Sequence, residues 1–241
     1  MAASLADFAQ RINTETQAEA RCTGFREATR IHGSFLAACE IRALVWMAER
    51  MPAWVNSDHL TMLGFAAQIA TGVCYAFAAW DRRMLLAAIV CLAVNWLGDS
   101  LDGTLARVRQ RQRPCYGFYV DHMIDSIGAV AVMVGLARSG YMHPVIAIGL
   151  LIAFLLLSIQ SYLATYALGE FHLSFWRFGP TELRILLIVG NLALFRWAWV
   201  IHGRYRLFDI GGAIGLAGML LMLAVVSVKN TVRLYREERI L

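Results

Sequence analysis

From residue 60 onward the chain alternates long apolar runs with short polar joints. Runs of roughly 20 apolar residues are long enough to cross a bilayer as helices. The pattern predicts six of them, over about 60–80, 84–105, 116–136, 145–168, 183–200 and 208–228. Joints this short favour antiparallel neighbours in a compact bundle. Before the first run the pattern changes. Over 35–51 the apolar residues Leu36, Ile41, Leu44, Val45, Trp46 and Met51 recur among Glu40, Arg42, Glu49 and Arg50. That mixture suits an amphipathic helix lying along a membrane surface, and Pro52 ends it. The expected fold class is therefore all-α: an integral membrane bundle of six transmembrane helices preceded by an N-terminal amphipathic surface helix.

Composition agrees and narrows the class. At 59% hydrophobic and 16% charged residues, a soluble domain of 241 residues is not expected. The net charge of +5 is carried almost wholly by arginine, with Lys229 the only lysine. These arginines flank the spans, so they read as a topology signal and as contacts with anionic headgroups; no nucleic-acid partner is expected. Arg107, Arg109, Arg111 and Arg113 crowd one joint, and Lys229, Arg233, Arg236 and Arg239 the C-terminal tail. The opposite joints hold fewer, which predicts both termini in the cytoplasm. The five cysteines show no metal-type spacing and are expected as free or packing thiols. The opening residues lack a basic flank followed by an apolar core, so no cleavable signal is expected.

The polar residues inside the spans gather at the cytoplasmic ends. Asp99 and Asp102 leave the second span, and Asp121 and Asp125 enter the third. Carboxylates in or beside hydrocarbon are costly and are normally paired, metal-bound or exposed to a wet cavity. On a helix Asp99, Asp102, Gly103 and Ala106 share one face, as do Gly117, Asp121 and Asp125. The two helices are consecutive and antiparallel, so the faces can meet. Four hard oxygen ligands suit Mg²⁺ or Mn²⁺ rather than Zn²⁺, and two such ions would clamp phosphate oxygens during an in-line displacement. Gly103 and Ala106 leave the face nearly bare, and Arg107 stands at its rim, where a guanidinium can grip phosphate. A purely structural ionic network would need more cations than Arg107 supplies.

These residues resemble the signature of the CDP-alcohol phosphotransferases, D-x2-D-G-x2-A-R-x8-G-x3-D-x3-D. All eight fixed positions match over residues 99–125, with one departure: nine residues, not eight, separate Arg107 from Gly117. The extra residue falls in the Arg/Gln/Pro joint, where an insertion is absorbed without moving the helical faces. The resemblance implies transfer of a substituted phosphate group from a CDP-alcohol to a second alcohol's hydroxyl, with release of CMP. It implies Asp99, Asp102 and Asp121 as principal metal ligands, and Asp125 as fourth ligand and the base that takes the acceptor's proton. Asp102, Gly103, Ala106, Arg107 and Gly117 are similar to the family's nucleotide-binding positions. It further implies phospholipid synthesis, membrane lipids as partners and a homodimer. The expected division is 1–56, a cytoplasmic or interfacial helical segment; 57–230, the six-helix transmembrane catalytic domain; and 231–241, a basic cytoplasmic tail. The active site is expected to face the cytoplasm.

Weaker signals leave the substrates open. His122 gives the string Asp121-His-x-x-Asp125, which resembles the choline and ethanolamine branch, but its side chain points about 100° from Asp121. A histidine satisfied within the bundle is the plainer reading. Gly179 to Arg184 reads as a helix start, and Arg177, Glu182 and Arg184 are candidates to hold an acceptor or a phosphate. Tyr162, Thr165 and Tyr166 either line an acceptor cavity or bond between helices. The expected donor is CDP-diacylglycerol; a CDP-choline or CDP-ethanolamine donor with a lipid acceptor is the alternative. A cation-coupled transporter is the rival of another class, disfavoured because no polar chain is evident from the acids to the outer side.

Overall fold

The computed structural model describes residues 37–168, 180–197, 199–200 and 205–237. These form helices α1 (Ala37–Arg50), α2 (Ser57–Phe77), α3 (Met84–Val108), α4 (Pro114–Arg138), α5 (Pro144–Leu168), α6 (Pro180–Arg196) and α7 (Leu207–Glu237). A two-residue antiparallel pair, β1 (Trp199–Val200) with β2 (Tyr205–Arg206), joins the last two. The prolines punctuate this order. Pro52 follows α1, whereas Pro114, Pro144 and Pro180 each open a helix. At that position the missing N–H is no loss and the fixed φ is already helical.

Helices α2, α3, α4, α5 and α7 are long and apolar enough to cross a membrane. Helix α6 coincides with the start of the fifth expected span but stops at Arg196, and its 17 residues give a rod about 26 Å long. Trp199 and Val200, expected inside that span, lie in β1 instead. The last helix departs the other way: it runs 31 residues to Glu237, so residues 231–237 of the expected tail are helical. The first helix spans nearly the expected stretch. It seats Leu44 and Ala48 on Leu101 and Leu105 of α3, with Arg42, Glu49 and Arg50 outward. One cysteine expectation fails: Cys74 and Cys91 are free, but Cys115 is disulfide-bonded.

Helix α2 is the hub, packed on α3 along one side and α4 along another; α5 then joins α4, and α7 joins α5. Lipid tails give helices no hydrophobic reason to associate, so close backbone packing has to do so. A Cβ on Gly98 would come within 2.7 Å of Gly64 N and Leu60 O, so α2 and α3 touch through backbone. Farther along, a Cβ on Gly135 would strike the Gly72 carbonyl, and one on Gly72 the Ala131 carbonyl, which is how α2 meets α4. Polar contacts reinforce these crossings. Asn95 Nδ2 donates to Gly64 O at 2.9 Å, and Asn191 Nδ2 of α6 donates to the buried Tyr75 hydroxyl at 2.8 Å. Outward, Val73, Phe77, Val130, Val134, Ile152, Leu163, Leu221 and Val225 form an exposed apolar belt suited to lipid.

The joint carrying the extra residue ends α3 in a tight turn. Arg111 N–H reaches Ala106 O at 2.9 Å and Gln110 N–H reaches Arg107 O at 3.1 Å, with Gln110 left-handed at φ 53°. This is the Schellman pattern, with glutamine where glycine is usual. Two of the joint's arginines are structural ties. Arg109 donates to the carbonyls of Met51, Pro52 and Val55, pinning the α1–α2 link, and Arg113 pairs with Asp58 while lying over the Tyr116 ring. That pairing holds the Arg113 guanidinium above its ordinary pKa.

The α2–α4 crossing makes a direct prediction. Gly135→Ala places a methyl against the Gly72 backbone, which no rotamer change relieves, and should destabilise the bundle by about 1–3 kcal/mol. Thermal unfolding of the purified protein in detergent checks this. An unchanged midpoint would mean that the two helices are not held at this crossing.

Candidate active site

Helix α3 carries Asp99 and Asp102 into the bundle unbroken, and the turn of α2 beside it is polar. Thr61 Oγ1 donates to Asp102 Oδ2 at 2.6 Å, and Ser57 Oγ donates to the Asp102 carbonyl at 3.0 Å. Asp102 is 7% exposed. A carboxylate so enclosed needs such donors, because its hydration is gone. The Gly64–Gly98 contact one turn away brings α2 near enough to supply them.

Helix α4 presents Asp121 and Asp125 to the same space. The Asp102 carboxylate lies within electrostatic reach of Asp99 and Asp121, and that of Asp125 within reach of Asp99, Asp102 and Arg184. Carboxylates of α3 and α4 therefore act on one another across the helix pair. Arg184 enters from α6: its Nη2 meets Asp99 Oδ2 at 2.7 Å, with the arginine side chain 12% exposed and the aspartate 39%. Beyond Asp125, the Tyr162 hydroxyl of α5 lies within reach of Ser126, Ser158 and Asp125.

The nucleotide-type positions other than Asp102 lie on exposed or half-buried faces of α3 and α4. A Cβ added at Gly103 or Gly117 would meet nothing within 4 Å. Ala106 is half-buried beside them, and exposed Arg107 extends Nη2 to Thr104 Oγ1 at 3.3 Å. His122 is turned aside as expected of a satisfied histidine. Its Nδ1 contacts Phe118 O at 2.5 Å, and its ring meets the edge of Tyr162 with centroids 5.0 Å apart. Arg177 and the side chain of Glu182 lie outside the described residues.

The donor chemistry suits a hard divalent cation: four carboxylates, with no thiolate or imidazole among them. Among the described residues, no three acidic, histidine or cysteine side chains are drawn together tightly enough to hold an ion as they stand. Two of the four are engaged elsewhere, Asp99 with Arg184 and Asp102 with Thr61. The other oxygen of Asp102, Oδ1, accepts from the Gly103 N–H.

A bundle of long apolar helices that brings four aspartates to one helix pair, with open glycines beside them, defines a membrane-embedded protein with a polar site among its helices. Residues 54–228 match the family model for CDP-alcohol phosphatidyltransferase, and the chain belongs to that family. It is accordingly an integral membrane transferase of substituted phosphate groups.

Thr61 is the site residue that the sequence reading passed over, along with the role of Ser57. The signal was available, since two hydroxyls four residues apart share a face of the first span. Nothing in the sequence says that this face meets Asp102 rather than a backbone carbonyl. Thr61→Val should destabilise the protein by about 1.5–3 kcal/mol, the usual worth of a hydrogen bond to a charged group. Thermal unfolding in chelator-treated buffer measures it, and a midpoint equal to wild type would remove Thr61 from the support of Asp102.

Proposed function

We propose that the protein transfers a phosphatidyl group from CDP-diacylglycerol to the hydroxyl of a small polar alcohol and releases CMP, as a step of phospholipid synthesis. The observation that carries the reading is the pair of open glycines beside the acids. Glycine inside a helix costs about 1 kcal/mol relative to alanine. At Gly64, Gly72, Gly98 and Gly135 backbone contact accounts for it; at Gly103 and Gly117, as at Gly211 and Gly218 of α7, no contact does, and only the first two stand beside the acids. A ligand that must approach the helix backbone beside Asp102 supplies the missing reason.

In this reading Gly103, Ala106 and Gly117 admit the cytidine nucleotide, and Arg107 grips a phosphate at the rim. Asp99, Asp102, Asp121 and Asp125 would hold two Mg²⁺ or Mn²⁺ ions. Such ions, when bound, neutralise the pyrophosphate and polarise the phosphorus under attack. Asp125, next to the Tyr162 hydroxyl, takes the proton of the acceptor as its oxygen bonds to the phosphorus. The bond from that phosphorus to the CMP oxygen breaks, and CMP leaves. Arg184, with Arg177 and Glu182 near the start of α6, is suited to the acceptor or to a substrate phosphate. His122 offers no support for an aminoalcohol donor, since its ring is taken up by Phe118 and Tyr162.

The reading includes α6 as a sixth, short crossing, because it packs along α3 within the bundle and its 17 residues are at the lower limit for a span. It also includes α1 at the membrane surface, both termini and the active site on the cytoplasmic side, and a homodimer.

The test is CMP release by the purified protein in lipid nanodiscs, with CDP-diacylglycerol or CDP-choline offered against a panel of alcohol acceptors. Turnover is expected with the lipid donor and is expected to stop on chelation of divalent ions. Asp125→Asn should abolish turnover while part of the nucleotide binding survives; wild-type turnover in that variant would remove Asp125 as the base. Gly103→Ala is the complementary case. It should leave the unfolding midpoint unchanged or slightly raised, yet raise the donor KM roughly tenfold or more, as expected from misplacing a bound substrate. A Gly103→Ala enzyme with normal KM would mean that the bare face is not where the nucleotide sits.

A further inference from the structure

We propose that Arg184 is the resident counter-ion of the acidic site: it holds Asp99 while no divalent ion is bound and gives that carboxylate up when one arrives. This rests on the metal-dependent reading above and adds to it an exchange between two cations for one ligand. The geometry is specific. Arg184 comes from α6, reaches across to α3 and meets Asp99 Oδ2 at 2.7 Å. Its side chain is 12% exposed, so the guanidinium is committed to this space rather than to solvent. It also lies within electrostatic reach of Asp125 on α4, so one positive charge serves acids on two helices.

The physical need follows from the cluster itself. Asp99 acts on both Asp102 and Asp125, so a fully ionised site without a cation repels itself, and Asp102, 7% exposed, has little water to offset it. An enclosed charge whose partner is removed is strongly destabilising. Arg184 lessens that repulsion, and the same contact commits one oxygen of Asp99 to a guanidinium, where it cannot at once serve an ion shared with the other acids. An incoming divalent ion has to displace the guanidinium, so the ion pair weakens metal binding and makes it conditional. Arginine suits the part, since it stays charged at any working pH and lets go of one carboxylate to take up another anion of the same geometry.

The experiment measures ion affinity directly. Mn²⁺ binding to protein in nanodiscs is followed by isothermal titration calorimetry and by loss of the free-ion electron paramagnetic resonance signal, with no substrate present. Arg184→Gln should bind Mn²⁺ about tenfold tighter than wild type, the scale of one partly enclosed ion pair no longer to be broken. Its unfolding midpoint should fall when ions are removed by chelator, and the rise on adding Mn²⁺ should exceed that of wild type. Arg113→Gln deletes an equal charge at the rim and should change the affinity less than about twofold. Equal or weaker Mn²⁺ binding by Arg184→Gln overturns the proposal, as does a gain matched by Arg113→Gln. Should Arg184→Gln fail to fold, Arg184→Lys keeps the charge without the planar fork and is expected to bind Mn²⁺ about threefold tighter; unchanged affinity there overturns it equally. The two levels separate cleanly: no Mn²⁺ bound by wild type sinks the metal-dependent reading itself, whereas binding indifferent to residue 184 sinks only the exchange.

Discussion

An ionised carboxylate under a membrane cannot be left to itself, and this constraint organises the bundle. Asp102 is nearly out of solvent while the Asp99 side chain stays 39% exposed; Asp99 and Asp121 act on Asp102, and Asp99 and Asp102 act on Asp125. Every element that reaches them brings compensation. Helix α2 brings the Thr61 hydroxyl, α6 brings the Arg184 guanidinium, and α5 brings the Tyr162 hydroxyl within electrostatic reach of Asp125. Thr61 can reach Asp102 only because Gly64 and Gly98 let the backbones of α2 and α3 touch one turn deeper. Packing in the apolar part of the bundle thus sets distances in the polar part.

Glycine carries two opposite meanings in this molecule, and they divide by position. Gly64, Gly72, Gly98 and Gly135 sit where a methyl group would strike backbone, so they are there for helix contact. Gly103 and Gly117 face open space beside the acids, where helix stability alone would favour another residue. Gly211 and Gly218 of α7 are equally open, so openness alone marks no site; Gly103 and Gly117 are set apart by standing one residue from Asp102 and one turn from Asp121.

Much of this was legible in the chain, for physical reasons that also explain what was not. The membrane helices are visible because hydrocarbon demands long apolar runs, and the helix starts at Pro114, Pro144 and Pro180 because proline suits that position. The four acids are visible because ionisable residues in such runs are rare. Helix ends without a strong signal are less so: the fifth run reads on through Trp199 and Val200, yet the helix stops at Arg196 and the chain pairs back on itself as β1 and β2. Hydropathy registers apolar residues and not whether their backbone is helical. The joint arginines were legible as charges but not as ties, since Arg109 and Arg113 find partners some 55 residues earlier in the chain. Arg184 was visible as a candidate anion-binder; its meeting with Asp99 across 85 residues depends on how α6 leans on α3, which no local pattern encodes.

Polarity does not end at the acids, contrary to the expectation used against a transport role. Along its inner face α2 continues with Gln68, Thr71 and Tyr75, and Asn191 of α6 joins them. What matters for transport is whether these groups are joined through open space. Thr71 is turned back onto the Ala67 carbonyl of its own helix, and Tyr75 is fully buried against Asn191. Gln68 packs over Gly128, and just beyond it α2 meets α4 backbone to backbone at Gly72, Ala131 and Gly135. A hydrated ion needs room for its ligands, and direct contact of two backbones leaves none at that level. Of these groups only Asn191 and Tyr75 fasten one helix to another, while Thr71 is satisfied within α2 and Gln68 Oε1 is buried without a hydrogen-bond partner. Polar groups so separated make no continuous relay leading away from the acids, and their polarity lends a transport role no support.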